Sequence, residues 1–183
     1  MDYTTKITTL FDENAQELMS DEIYPAYSHN GKLRLQQDEI EDLLDVCYNL
    51  KLNRYYACIQ KAKIVADYLG IPNIHLGSLM VESTESGVMY GYYFNPPLEL
   101  HAWVQDGFDI IDLAVAGTIE LGSKTKDDVG YFLTGREPIV VSGQPPPWLH
   151  YTSKQIVALK DVNILDIEKA KTLINNIYGN TSS

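Results

Sequence analysis

The chain is poor in cysteine. It has two in 183 residues, Cys47 and Cys58, too few for a disulfide framework and too sparse for a structural zinc site. Long apolar runs are also missing. No stretch approaches the roughly 18 residues of a membrane span, and the start, Met1 to Lys6, lacks a basic segment followed by an apolar one. A cytoplasmic protein with no membrane partner is therefore expected. Positive charge is scarce: 14 Lys+Arg stand against 25 Asp+Glu, a formal net charge of −11. That balance repels phosphate backbones and argues against nucleic acid as a partner. His29, His75 and His150 have no carboxylate or cysteine at ligand spacing, so no metal site is expected. There is no repeat of domain-building length and no low-complexity tract beyond Pro145-Pro146-Pro147.

What is present is ordinary for a globular chain, 45% hydrophobic and 21% charged. The length suits one domain spanning 1–183, large enough to fold without a staple. We expect a core over 38–150, with 1–37 and a helical 151–183 as elaborations. A short helix is expected over Asp12 to Met19, and a turn at His29-Asn30-Gly31. From Asp38, the residues Ile40, Leu43, Leu44, Cys47 and Leu50 recur at three and four, with acidic residues opposite, which predicts an amphipathic helix ending near Asn53. A second helical stripe follows in Cys58, Ala62, Val65, Ala66 and Leu69, with Gln60, Lys61, Lys63 and Asp67 off it, stopped by Gly70 and Pro72.

The period then changes. Ile74 to Val81, Val88 to Phe94, Leu98 to Gln105 and Phe108 to Leu113 read as short strands of an antiparallel meander. Residues 114–150, rich in glycine and proline, read as long loops with one strand at Pro138 to Val141. A final helix is expected from the N-cap Asp166, burying Ile167, Ala170, Leu173, Ile174 and Ile177.

The most informative segment is His101-Ala-Trp-Val-Gln-Asp-Gly-Phe-Asp-Ile-Ile-Asp112, because Asp-Gly between two strand-like runs is a strong hairpin signal. With Asp106 and Gly107 as the loop, Gln105 faces Phe108, Trp103 faces Ile110 and His101 faces Asp112. Such facing residues share one side of the sheet, close enough for a carboxylate to accept a hydrogen bond from imidazole. A His–Asp pair of this kind is the orienting half of a nucleophilic triad. Cys58 is the natural third member. It stands in the first turn of its helix, where the dipole and unpaired N–H groups favour a thiolate and can serve an oxyanion. Cys47 sits mid-helix on an apolar stripe and reads as core.

These residues resemble the transglutaminase-like superfamily. The likeness rests on Cys58 with Ala62 four positions on, the helix end Leu69-Gly70-Ile71-Pro72, the strand His101-Ala102-Trp103-Val104 and Asp112 on the next strand, in that order. It implies an α+β, papain-like fold, with the nucleophile-bearing helix packed on an antiparallel sheet and helices flanking it at both termini. It implies Cys58 as nucleophile, His101 as base and Asp112 as orienting acid. The activity implied is a cofactor-free, cysteine-dependent hydrolysis of a peptide or side-chain amide through a thioester. The alternatives are acyl transfer to an amine and a catalytically idle module that binds a protein partner. The substrate expected is a protein or peptide.

Related sites place a side-chain amide upstream of the cysteine as oxyanion donor. Asn53 is the amide available, equally readable as a helix cap. Trp103 is a second oxyanion or substrate candidate, with packed sheet core as its bland alternative, on the face of His101 against the Cys58 helix. Tyr90, Tyr92, Tyr93 and Phe94 suit either a substrate cleft or a doubly covered strand. The loop from Gly143 to Trp148 suits a lid, a ligand for a proline-reading partner, or a rigid surface connection.

Overall fold

A computed structural model describes residues 23–52, 57–84, 89–96, 99–124 and 135–162. The helices expected at Asp12 to Met19 and after Asp166, and the candidate Asn53, lie outside these residues. The fold is α+β, with a mixed sheet and a few helices. In chain order the elements are β1 (Ala26–Tyr27), α1 (Gln37–Asn49), α2 (Cys58–Leu69), β2 (Asn73–Glu82), β3 (Met89–Tyr92), β4 (His101–Asp106), β5 (Asp109–Asp112), α3 (Val115–Lys124), β6 (Val140–Gly143) and β7 (Leu149–Ala158), with a 3₁₀ turn at Leu159–Asp161. No helix among the described residues is long and apolar enough to cross a membrane.

Helix α1 buries Ile40, Leu43, Leu44 and Cys47, the stripe that its spacing predicts. It ends sooner than expected. Lys51 takes a left-handed conformation (φ +56°), and the bonds Leu52 N–H to Cys47 O and Lys51 N–H to Tyr48 O form a Schellman motif that leaves Leu50 exposed. Helix α2 closes in the same way, through Gly70 at φ +70°, with Ile71 N–H donating to Ala66 O and Gly70 N–H to Asp67 O. Its buried face holds Ala62, Val65 and Ala66 as expected, but also Lys61, which the stripe placed outside. The Lys61 charge acts on the buried Cys47 thiol, so this lysine lies on the side where the two helices pack.

The sheet runs in the order β1-β6-β5-β4-β2-β3, with β7 pairing to β2. Every pairing is antiparallel except β1 with β6. This is more than the expected meander. β3 does not separate β2 from β4; instead β3 and β4 lie end to end along one edge of β2. The other edge of β2 is covered by β7, in a stretch expected to lead into helix. Its Tyr151, Thr152, Ile156 and Val157 are strand-forming residues, and pairing along nearly the whole of β2 fixes them as strand. The stretch expected as loops contains α3 as well as β6, the strand starting at Val140 rather than Pro138. Gly143 to Trp148 is a connection held at both ends: His29 N–H donates to Gln144 O at its start, and at its end Leu149 N–H donates to Pro146 O and the Arg136 guanidinium sits 4.8 Å over the Trp148 ring.

Strand alternation divides the core in two. Ile74, Ala102, Val104 and Ile111 face α1 and α2, while Leu79, Val81, Trp103 and Ile110 face Val115 and Ile119 of α3. Trp103 therefore packs away from the Cys58 helix, opposite to the expectation.

Candidate active site

The β4–β5 hairpin pairs Val104 with Ile111, Gln105 with Ile110 and Asp106 with Asp109, so its two-residue loop is Gly107-Phe108 rather than Asp106-Gly107. Gly107 has φ +64°, the left-handed first position of a Gly-X hairpin loop. Extending this register puts Asp112 opposite Trp103, two residues from the position facing His101. A shift of two keeps together the residues expected to share a face, His101 and Trp103 with Ile110 and Asp112. The pair forms diagonally: His101 Nε2 lies 2.7 Å from Asp112 Oδ2, with both side chains buried.

Asp112 is held by four donors. Oδ1 accepts the N–H groups of Ala114 (2.9 Å) and Val115 (3.1 Å), capping the start of α3. Oδ2 accepts from His101 and from the Tyr151 hydroxyl at 2.7 Å. Four donors and a helix N-terminus form the setting of a carboxylate. Tyr151 comes from β7, so the residue that completes this shell lies in the stretch expected as helical. Burial first, then the Asp112 charge and hydrogen bond, push its phenol well above the usual range and keep it a donor.

His101 is 1% exposed. Burial alone disfavours its cation, but the charge and hydrogen bond of Asp112 outweigh that, and hydrogen bonding and charge from Cys58 add to them. The imidazole is pushed up to about 10. Nε2 is taken by Asp112, which leaves Nδ1 for the thiol. Two rings fix the imidazole plane: Tyr92 on one side (centroids 6.0 Å, planes 8° apart) and Trp103 on the other (6.0 Å, 22°). Trp103 continues the row to His75 at 6.1 Å and donates its indole N–H to Gln105 Oε1 at 3.3 Å. Its place in the site is thus to brace His101 from within the core. Its ring passes so close to Gly77 that a Cβ there would lie 3.0 Å from it.

The end-to-end arrangement of β3 and β4 places the site. Gly77 pairs with His101 and Leu79 with Tyr92, while Ser78 between them pairs with neither strand and accepts Phe94 N–H at 2.9 Å through its Oγ. The chain leaves the sheet between Tyr92 and His101, and Asn95 and Glu99 bridge to each other at 2.8 and 2.9 Å as it does so. Helix α2 begins at this opening. Cys58 is its first residue, partly buried, with Sγ 4.0 Å from Leu100 O. The N–H groups of its first turn have no acceptor within the helix. The site thus combines a thiol at a helix start, an imidazole beside it whose cation Asp112 favours, and a capped carboxylate behind. Cys47, in contrast, is fully buried in the α1 core, and desolvation pushes its thiol up to about 11.

The remaining histidines are engaged elsewhere: His75 with Ser153 Oγ at 2.8 Å, His29 with the Tyr27 hydroxyl at 3.0 Å and His150 with Glu82 at 3.3 Å. Among the described residues no group of three or more His, Cys, Asp or Glu side chains is arranged to hold a metal ion. Comparison with protein-family models, curated proteins and solved structures gives no match.

Proposed function

We infer that this protein is a cysteine-dependent hydrolase of peptide or side-chain amides, of the transglutaminase-like, papain-like kind that its motifs resemble. The observation that carries the reading is the buried 2.7 Å contact of His101 with Asp112, with the helix-start thiol of Cys58 acting on the same imidazole. In the reaction, His101 takes the Cys58 proton as Sγ bonds to the carbonyl carbon and the carbonyl electron pair moves onto oxygen. Collapse of the adduct expels the amine, which takes the proton from His101. Water, deprotonated by the same imidazole, then cleaves the thioester and regenerates the thiol. Asp112 keeps the ring oriented and supports its cation throughout.

The test is incubation with a proteome-derived peptide library, with and without added methylamine, read by mass. Cleaved or deamidated products that vanish in Cys58→Ala are expected. Methylamide products formed instead in the presence of amine would shift the assignment to acyl transfer. Products equal in Cys58→Ala, or none in wild type, would overturn it.

A further inference from the structure

The Tyr92 hydroxyl is an anomaly in a packed interior. The residue is 7% exposed, and its phenolic oxygen is shut off from solvent with no acceptor for its O–H among the described residues. An unmade bond at a buried polar group costs about 1–3 kcal/mol, so a native example needs a reason. The ring is not free to turn away, since it stacks on His101, and its strand seat beside Leu79 is fixed by Gly91, where any Cβ would overlap the Leu79 carbonyl. Burial first, then the charge of a Cys58 thiolate, push the phenol well above its usual range, while a hydrogen bond from Thr118 to the phenolic oxygen acts in the opposite sense. It therefore stays a neutral O–H, the form that can donate.

We propose that Tyr92 is a catalytic residue whose hydroxyl donates a hydrogen bond to the oxyanion of the tetrahedral adduct on Cys58. This rests on the hydrolase reading above and adds a second donor to the helix-start N–H groups. The oxyanion forms on an atom bonded to Sγ, which lies 4.0 Å from the carbonyl oxygen of Leu100, next in the chain to the His101 on which the Tyr92 ring stacks. The proton stays on Tyr92 throughout. When the adduct collapses, the electron pair returns to the carbonyl and the donor is left unpaired again. A donor unpaired in the ground state and paired at the transition state is what lowers a barrier.

The test uses p-nitrophenyl acetate, which acylates Cys58 with release of p-nitrophenolate, and iodoacetamide, which alkylates sulfur without forming an oxyanion. Tyr92→Phe keeps the ring. We expect its Cys58-dependent nitrophenolate release, measured above the Cys58→Ala background, to be about 100-fold slower, its alkylation rate at Cys58 unchanged within about twofold, and its thermal midpoint equal or higher because an unpaired hydroxyl is gone. Acylation at the wild-type rate overturns the proposal and leaves the hydrolase reading standing. Acylation and alkylation slowed together also overturn it, by assigning Tyr92 to the thiol. A wild-type Cys58 that reacts with neither reagent overturns both readings.

Discussion

His101 and Asp112 meet across their hairpin without standing opposite one another: the register pairs Asp106 with Asp109, and Asp112 reaches diagonally to place Oδ2 2.7 Å from Nε2. Its other oxygen is thereby free to cap α3. The two roles can be separated by substitution. Asp112→Asn keeps a capping oxygen and removes the charge, so it should retain most of the fold while lowering turnover by about 10⁴-fold, the scale seen when an orienting aspartate becomes an amide. Asp112→Ala loses the cap as well and leaves His101 and Tyr151 buried without their acceptor, costing about 3–5 kcal/mol. Urea unfolding of both variants checks the split.

The imidazole raised to about 10 from an ordinary 6.5 makes stability depend on pH. Between those values the folded protein holds a proton that the unfolded chain has lost, so the stabilisation is complete below about 6.5 and drains away as pH rises towards 10. A Cys58→Ala background removes the thiol that can supply this proton from inside the site. In that background, stability should fall steadily from pH 7 to pH 8.5, below the range where Cys47 begins to contribute. The fall should disappear in Cys58→Ala/His101→Gln.

Tyr151→Phe deletes the hydroxyl that donates to Asp112 at 2.7 Å but keeps the ring that meets Trp103 edge-on at 5.1 Å. Loss of a hydrogen bond to a charged group predicts about 1.5–3 kcal/mol of destabilisation. Turnover should fall far less than in Asp112→Asn, because the charge behind His101 remains.

At the end of α1 a lysine occupies the left-handed position that glycine fills at the end of α2. Lys51→Gly should therefore raise stability by about 0.5–1 kcal/mol, the strain of about 1–2 kcal/mol that a side chain suffers there less the extra chain entropy glycine loses on folding. A higher urea midpoint with an unchanged slope would show it.

The same contrast explains what could be read from the sequence. Gly70 announced its helix end, whereas Lys51 gave no sign. The Cys58 helix start, the apolar stripes and the face shared by His101 and Asp112 were legible because periodicity fixes them, and a two-residue register error preserves strand faces. Tyr151 was not legible as part of the site, since its strand-forming neighbours were read as the approach to a helix; its pairing with Leu79 is tertiary. Tyr92 stood among aromatics with no local reason to single it out, because its position beside His101 follows from β3 and β4 sharing one edge of β2.

The most direct test is iodoacetamide alkylation at each cysteine, followed by mass spectrometry in wild type and His101→Ala. The site predicts that Cys58 reacts at least about 10-fold faster than an unstructured thiol at pH 7, that His101→Ala removes this advantage, and that Cys47 stays protected in both proteins, showing an intact core. A Cys58 that reacts equally fast without His101, or no faster than an unstructured thiol with it, would contradict the triad.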